Sequence, residues 1–154
     1  MSTPVDRVRQ ALAAHGLQVQ VTEFDQSTAT SQQAADTLGV PVATIVKSLI
    51  FLADEQVILV LASGANRVDT ARLGQLTGGK VRRADADRVK AATGFVIGGV
   101  PPVGHSHPIP TYIDADLLGY DLLWAAAGSP YAVFPITPQD LVRITGGRVA
   151  EIKA

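Results

Sequence analysis

Apolar and polar positions along the chain fall into short blocks of two kinds. From Pro4 to Ala14, Val5, Val8 and Leu12 recur at helical spacing, with Pro4 suited to a first turn and Gly16 to a stop. From Leu17 to Phe24 the period drops to two: Leu17, Val19 and Val21 alternate with Gln18, Gln20 and Thr22, the pattern of a half-buried strand. Thr30 or Ser31 can cap a short helix through Ala34, Ala35 and Leu38, closed by Gly39, after which Pro41 opens a turn. Val42 to Ala53 and Gln56 to Ala62 are rich in Val, Ile and Leu, and only Asp54-Glu55 separates them. That is the clearest hairpin in the chain, and it makes part of the sheet antiparallel.

The second half alternates more quickly. Asp69 to Leu76 and Ala84 to Ala92 are predicted helices, capped by Asp69 and Asp85 and stopped by Gly78-Gly79 and Gly94. Phe95 to Ile97 is strand-like, Gly98 to Pro110 is loop, and Tyr112-Ile113 can pair briefly. Leu122 to Ala127 and Tyr131 to Ile136 are predicted strands around a Gly128-Ser129-Pro130 turn. Thr137-Pro138 starts a helix to about Thr145, Gly146-Gly147 ends it, and Arg148 to Ile152 forms a last strand. There is no internal repeat and no linker able to divide the chain, so residues 1–154 are expected to form a single domain. Short strands mixed with short helices indicate an α+β fold: a curved, mixed, partly antiparallel, barrel-like sheet surrounded by helices.

Composition narrows the chemistry. Hydrophobic residues make up 47% and charged residues 18%, enough to bury a core and too apolar for a disordered chain. There is no cysteine, which excludes disulfides, thiolate nucleophiles and thiolate metal ligands together. The first ten residues lack an apolar signal core, and no apolar run reaches the roughly 18 residues of a membrane span. The expectation is a soluble cytoplasmic protein without a membrane partner. A net charge of −1 argues against a long non-specific nucleic-acid footprint, DNA included. Between Arg67 and Lys90, however, cations outnumber Asp69, Asp85 and Asp87. Arg67, Arg72, Lys80, Arg82 and Arg83 are either an ordinary solvated face or a patch for a short run of phosphates.

No dinucleotide fingerprint, P-loop, nucleophile elbow or H-E-x-x-H motif is present. His105-Ser106-His107 is the only histidine cluster. Two rings without a third or fourth ligand nearby make a poor metal site, so no metal or other cofactor is expected, and a single general base is the better use. Lys47 lies within Ile45-Val46-Lys47-Ser48-Leu49-Ile50-Phe51, where burying an ammonium is costly unless it is paired or faces a wet cavity. It is either an edge-strand lysine that discourages aggregation or a point charge for a phosphate or ribose oxygen. Gly98-Gly99-Val100-Pro101-Pro102-Val103-Gly104 can present backbone amides to an anion or an oxyanion, or can simply connect. Gly128-Ser129-Pro130 leaves the same choice open. Ser129, without an adjacent His or Asp, is a weak nucleophile.

Ile45 to Leu49, the Gly-x-x-x-Pro element from Gly98 to Pro102 with Gly104 behind it, Ala127-Gly128-Ser129-Pro130, and Ile136 to Leu141 leading to Thr145-Gly146-Gly147 together resemble the YbaK/ProX family. These are free-standing relatives of the editing domain of bacterial prolyl-tRNA synthetases. The resemblance implies a mixed, barrel-like core wrapped by helices. It implies hydrolysis of the ester joining a small, wrong amino acid, such as Ala or Cys, to the 3′-terminal adenosine of proline tRNA. It places Lys47 on the family's functional lysine, Gly98 to Pro102 on the loop that lines the aminoacyl pocket and Gly128 on the turn that faces it. Lys47, Gly98, Gly99 and Gly128 are accordingly expected to act in catalysis, and Ser48, Pro101, Pro102, His105, Ser129 and Pro130 to surround the substrate. The partners implied are the acceptor end of an aminoacyl-tRNA and prolyl-tRNA synthetase itself. His105-Ser106-His107-Pro108 departs from relatives with basic or other polar residues there, which leaves the preferred amino acid open. Two other functions fit the same residues: a module that grips tRNA ends or a synthetase without chemistry, and a histidine-based metallohydrolase.

Overall fold

A computed structural model describes residues 2–154. Five helices are present: α1 (Pro4–Ala14), α2 (Ser31–Leu38), α3 (Thr70–Thr77), α4 (Ala86–Thr93) and α5 (Pro138–Thr145). They accompany eight strands: β1 (Thr22–Glu23), β2 (Ile45–Ala53), β3 (Gln56–Ser63), β4 (Val81–Arg83), β5 (Thr111–Asp114), β6 (Leu123–Ala126), β7 (Ala132–Ile136) and β8 (Arg148–Ala150). The strands form one mixed sheet in the order β1-β7-β6-β2-β3-β5-β8, with β4 paired to β2 off that path. The expected α+β architecture, a mixed and partly antiparallel sheet with short helices, is the one observed.

The β2–β3 hairpin is the centre of the sheet. Its register runs from Val46↔Ser63 to Ala53↔Gln56 without a break. The turn works because Asp54 accepts a positive φ of 53°, one of the few side chains that do so readily. The same aspartate takes the Lys80 N–H on Oδ1 at 2.9 Å and gives its own N–H to the Lys80 carbonyl at 2.8 Å. That double clasp starts β4, a strand not foreseen from the sequence because its three residues follow directly on the Gly78-Gly79 stop.

Alternation along the hairpin divides the core in two. Val46, Ile50, Leu52, Leu59 and Leu61 pack with Val5, Val8 and Leu12 of α1 and with Leu141 and Ile144 of α5. Phe51, Ala53, Ile58 and Val60 point the other way, onto Leu73 of α3. At the start of β2, Ile45 packs on Ala34 and Ala35 of α2 beside Trp124. Thr3 and Thr30 close capping boxes, Asp69, Asp85 and Thr137 cap α3, α4 and α5, and the helix starts follow from those side chains.

Three expectations change. Leu17 to Phe24 shrinks to Thr22–Glu23 of β1, the two residues that pair in register with Val133 and Ala132 of β7; the Phe24 N–H adds one bond to the Tyr131 carbonyl at 2.8 Å. Leu17, Val19 and Val21 still pack on the core, so their alternation reported burial and not pairing. Phe95 to Ile97 is not a strand. Phe95 is buried and donates its N–H to Thr93 Oγ1 at 3.0 Å, while Val96 and Ile97 are exposed in the turn that follows. Val42–Thr44, expected at the start of the hairpin strand, is a single 3₁₀ turn.

Leu61 has no exposed surface and sits in the larger core. Leu61→Ala is expected to cost about 2–5 kcal/mol. Leu118→Ala, at a position 44% exposed, should change stability by less than about 0.5 kcal/mol. Urea denaturation of both variants checks the assignment of the core.

Candidate active site

Strand β2 is paired with β3 along its whole length, but its other edge is shared by two short strands. β6 runs parallel to it at Ile45 and Val46. β4 runs antiparallel to it at Phe51, Leu52 and Ala53. Between them, Lys47 to Leu49 has no strand partner on that side, and the Ile50 carbonyl already accepts the Ala84 N–H at 3.1 Å. A cavity of about 190 Å³ opens at this gap. It is lined by β2 itself, by Thr28 to Ser31 ahead of and at the start of α2, by Arg83, by Gly98 and Val100, and by Trp124, Ala125, Ala126 and Val133.

Lys47 lies on the lining, half-buried. Its Nζ donates to the main-chain carbonyl of Asn66, in the loop after β3. That loop is held in turn: Asn66 Nδ2 donates to Asp114 Oδ2 and Asp116 Oδ2, both at 2.9 Å. Asp114, buried at the end of β5, also accepts the Ser63 N–H at 3.1 Å. Lys153 Nζ closes the chain of contacts on Asp116 at 2.9 Å. Burial pushes the Lys47 ammonium below the ordinary lysine range and Arg83 pushes it further; Asp114 pulls it back up, and Arg67 adds a smaller downward push. Two cations, Lys47 and Arg83, therefore line the cavity.

The other basic residues are elsewhere or engaged. Arg72 pairs with Asp69 at 3.6 Å and Arg82 with Glu55 at 3.6 Å. Lys80 is exposed beside the hairpin turn. Arg83 alone of the stretch from Arg72 to Lys90 is both cationic and part of the lining, with its guanidinium 5.5 Å from the Phe51 ring centroid.

The glycine loops take different jobs. Gly98 lines the cavity with a φ of 88°, and a Cβ there would stand 2.9 Å from Ala29 Cβ. Its N–H meets no acceptor among the described residues. The Gly99 N–H already donates to the Val96 carbonyl at 3.0 Å, and the Gly128 N–H to the Gly99 carbonyl at 2.9 Å. The Gly99 amide closes a turn of its own loop and the Gly128 amide joins the two loops, so both are already engaged within the protein. Gly99 must be glycine because a Cβ would lie 2.8 Å from Ser129 Cα; at Gly128 it would lie 2.7 Å from the Pro4 carbonyl oxygen.

Ser129, Pro130, Pro101, Pro102 and His105 stand behind the lining, not in it. Ser129 Oγ accepts the Tyr131 N–H at 3.0 Å and shapes the turn. The Pro130 carbonyl takes both the N–H and the Oγ1 proton of Thr28, at 2.6 and 3.1 Å, and so sets a residue that does line the cavity. His105 lies in a separate, shallower cleft with His15, His107 and Pro102, its Nε2 donating to the Pro101 carbonyl at 2.7 Å. Burial holds its pKa below the ordinary 6.5 despite that bond. Among the described residues no three His, Asp or Glu side chains cluster as metal ligands would. Asn66 and Asp114, which hold the Lys47 anchor, were not singled out from the sequence. The signal available was a carboxylate closing an apolar strand, Tyr112-Ile113-Asp114.

Residues 25–144 match the model of the aminoacyl-tRNA editing domain. The chain belongs to that family. Bacillus subtilis YwhH, an uncharacterised protein, is 38% identical over 130 residues, covering 84% of this chain and 83% of its own. EbsC of Enterococcus faecalis, whose name proposes a Cys-tRNA(Pro)/Cys-tRNA(Cys) deacylase, is 25% identical over 124 residues, 79% of this chain and 76% of its own. A proline–tRNA ligase of Lactobacillus gasseri is 41% identical over 76 residues, 49% of this chain and 14% of the ligase. In three dimensions the editing domain superposes with a TM-score of 0.94 on a crystal structure presented as a proposed trans-editing enzyme for prolyl-tRNA synthetase. That pair is 45% identical and covers 100% of this chain and 99% of the other. Among the described residues no helix is long and apolar enough to cross a membrane.

Two outcomes follow for the loops. Gly128→Ala places a side chain at φ 98° against the Pro4 carbonyl and is expected to destabilise the editing domain by about 1–3 kcal/mol in urea denaturation. His105 is held neutral, so below pH 6.5 the unfolded chain takes up a proton that the folded chain resists. Stability is therefore expected to fall as pH drops below 6.5, and His105→Gln should flatten that slope between pH 7 and 5.

Proposed function

We propose that this protein is an aminoacyl-tRNA deacylase that hydrolyses the ester joining a small, wrongly attached amino acid, Ala or Cys, to proline tRNA. The observation that carries the reading is Lys47, a cation on an otherwise largely apolar cavity with a glycine loop opposite. Membership of the editing-domain family supports it, as do the relatives named for deacylation and trans-editing. The acceptor end of the charged tRNA is the partner, and prolyl-tRNA synthetase, which shares the domain, is the enzyme whose errors would be cleared.

In this mechanism the Lys47 ammonium holds the phosphate or ribose of the terminal adenosine, with Arg83 on the same lining adding positive potential. The Gly98 N–H, which meets no acceptor among the described residues, donates to the ester carbonyl and to the oxyanion it becomes. Water adds to the carbonyl carbon, the bond from carbon to the ribose oxygen breaks, and the proton shed by the water ends on that oxygen. An aminoacyl ester is already activated, so positioning and charge stabilisation suffice, helped by the neighbouring ribose hydroxyl of the substrate. Gly99 and Gly128 keep the loop in place, and Pro130, Ser129, Pro101, Pro102 and His105 support it from behind. The small cavity sets the preference for small side chains; one methylene is worth only about 1–3 kcal/mol in such a pocket.

The test is deacylation of proline tRNA charged with Ala, Cys or Pro. The wild type is expected to clear Ala or Cys faster than Pro, and Lys47→Ala to lose on the order of 10²–10³ in rate. If both proteins match spontaneous hydrolysis on every substrate, the enzyme reading falls; tRNA binding without turnover would then leave a non-catalytic module. Because the lysine is pushed below its usual range, the enzyme-dependent rate should decline with rising pH before an ordinary lysine would titrate. The rate net of spontaneous hydrolysis, followed from pH 7 to 10, reads this directly.

A further inference from the structure

Successive residues of a strand turn their main-chain groups to opposite edges. Two contacts fix which way β2 points. The Ile45 carbonyl accepts the Gly64 N–H on the β3 side, and the Ile50 carbonyl accepts the Ala84 N–H on the β4 side. Even-numbered residues of β2 therefore face the interrupted edge, and Ser48 lies in the middle of the interruption. Pairing with β6 stops at Val46↔Ala125; a bond from the Ser48 N–H to the Ala126 carbonyl would have extended it one step further. Pairing with β4 begins only at Phe51. Ser48 thus offers an N–H and a C=O, side by side, to the cavity. Its Oγ is also buried and without a partner. One residue presents three unsatisfied polar groups at a single point, which in a buried setting calls for a ligand to satisfy them.

We propose that this open edge is where the aminoacyl group docks, as a one-residue strand added to the sheet. The inference rests on the deacylase reading and names the contact that recognises the amino acid. An aminoacyl ester carries a donor, its α-ammonium, and an acceptor, its ester carbonyl, on either side of one α-carbon. That is the spacing of a residue in a β-ladder. The α-ammonium donates to the Ser48 carbonyl, and the ester carbonyl accepts from the Ser48 N–H, which adds a second donor beside Gly98. The three residues from Lys47 to Leu49 span about 10 Å, room for one such unit between the two flanking strands. Directly paired residues send their side chains to the same face. The substrate's side chain therefore follows that of Ser48, toward Val46, Val100 and Ala125. Those small aliphatic walls suit a methyl or thiol-bearing group.

The experiment uses 3′-(L-alanylamino)-3′-deoxyadenosine, in which an amide replaces the scissile ester, and its N-acetyl derivative. Amide spectra of the full chain are recorded with each. The alanyl compound is expected to shift the Ser48 and Ile50 N–H signals and slow exchange at Ser48, and acetylation to weaken binding at least tenfold. Equal binding of the two, or binding that leaves the Ser48 N–H unmoved, overturns the proposal, as does failure of the alanyl compound to bind. A parallel assay compares alanyl-tRNA with N-acetylalanyl-tRNA. Equal enzymatic rates reject edge docking and leave the deacylase standing. No enzymatic hydrolysis of either removes the deacylase reading, and the spectra then decide the docking by themselves.

Discussion

An interrupted strand edge is the constraint around which the site is built. β2 needs partners on both sides to satisfy its backbone, and on one side it has two that do not meet. An exposed edge is ordinarily a hazard, because unpaired N–H and C=O groups invite another strand. Here the interruption is short and roofed by Thr28 to Ser31 and by the loop at Gly98. It is too narrow for another protein's strand and wide enough for a small ligand. The cavity, the placement of Lys47 at its mouth and the exposure of Ser48 all follow from where β6 ends and β4 begins.

The lysine at this edge is held by geometry as well as charge. A half-buried ammonium among aliphatics needs an acceptor, and Asn66 supplies a carbonyl instead of a carboxylate. The carboxylates lie one step back, on the Asn66 side chain, where Asp114 and Asp116 brace the loop. A direct salt bridge would have neutralised the cation. Moving the negative charge outward keeps the ammonium oriented yet still attractive, and neighbouring Arg83 and Arg67 preserve the positive potential.

The two glycine turns illustrate how similar sequence signals divide into different roles. Gly98 needs its positive φ to bring an unbonded amide to the cavity beside Ala29. Gly99 and Gly128 are glycines because backbone approaches backbone so closely that a Cβ has no room, and the Gly128 N–H on the Gly99 carbonyl stitches the two loops together. Composition alone cannot separate an amide offered to a ligand from one committed to a neighbour. The distinction depends on which carbonyl lies within reach after folding.

Much of the fold was legible from local chemistry. The hairpin around Asp54-Glu55, the capped helices and the α+β character all follow from period, caps and turn residues, which act over a few positions. Lys47 was legible for the same reason: a charge inside an apolar run stands out in one dimension. What eluded the sequence depends on distant partners. The Leu17 to Phe24 alternation could not say that only Thr22 and Glu23 would find β7, nor could Gly78-Gly79 announce a β4 directly behind it. The sequence by itself determined which segments could be strands and helices, and that a lysine and glycine loops were available for chemistry. Tertiary structure alone decided that β2 would be left open at Ser48, that Asn66 would anchor the lysine, and that Gly98 would keep a free amide. Those are outcomes of pairing between residues far apart in the chain, where hydrogen-bond competition and packing choose among partners that local propensity leaves equivalent.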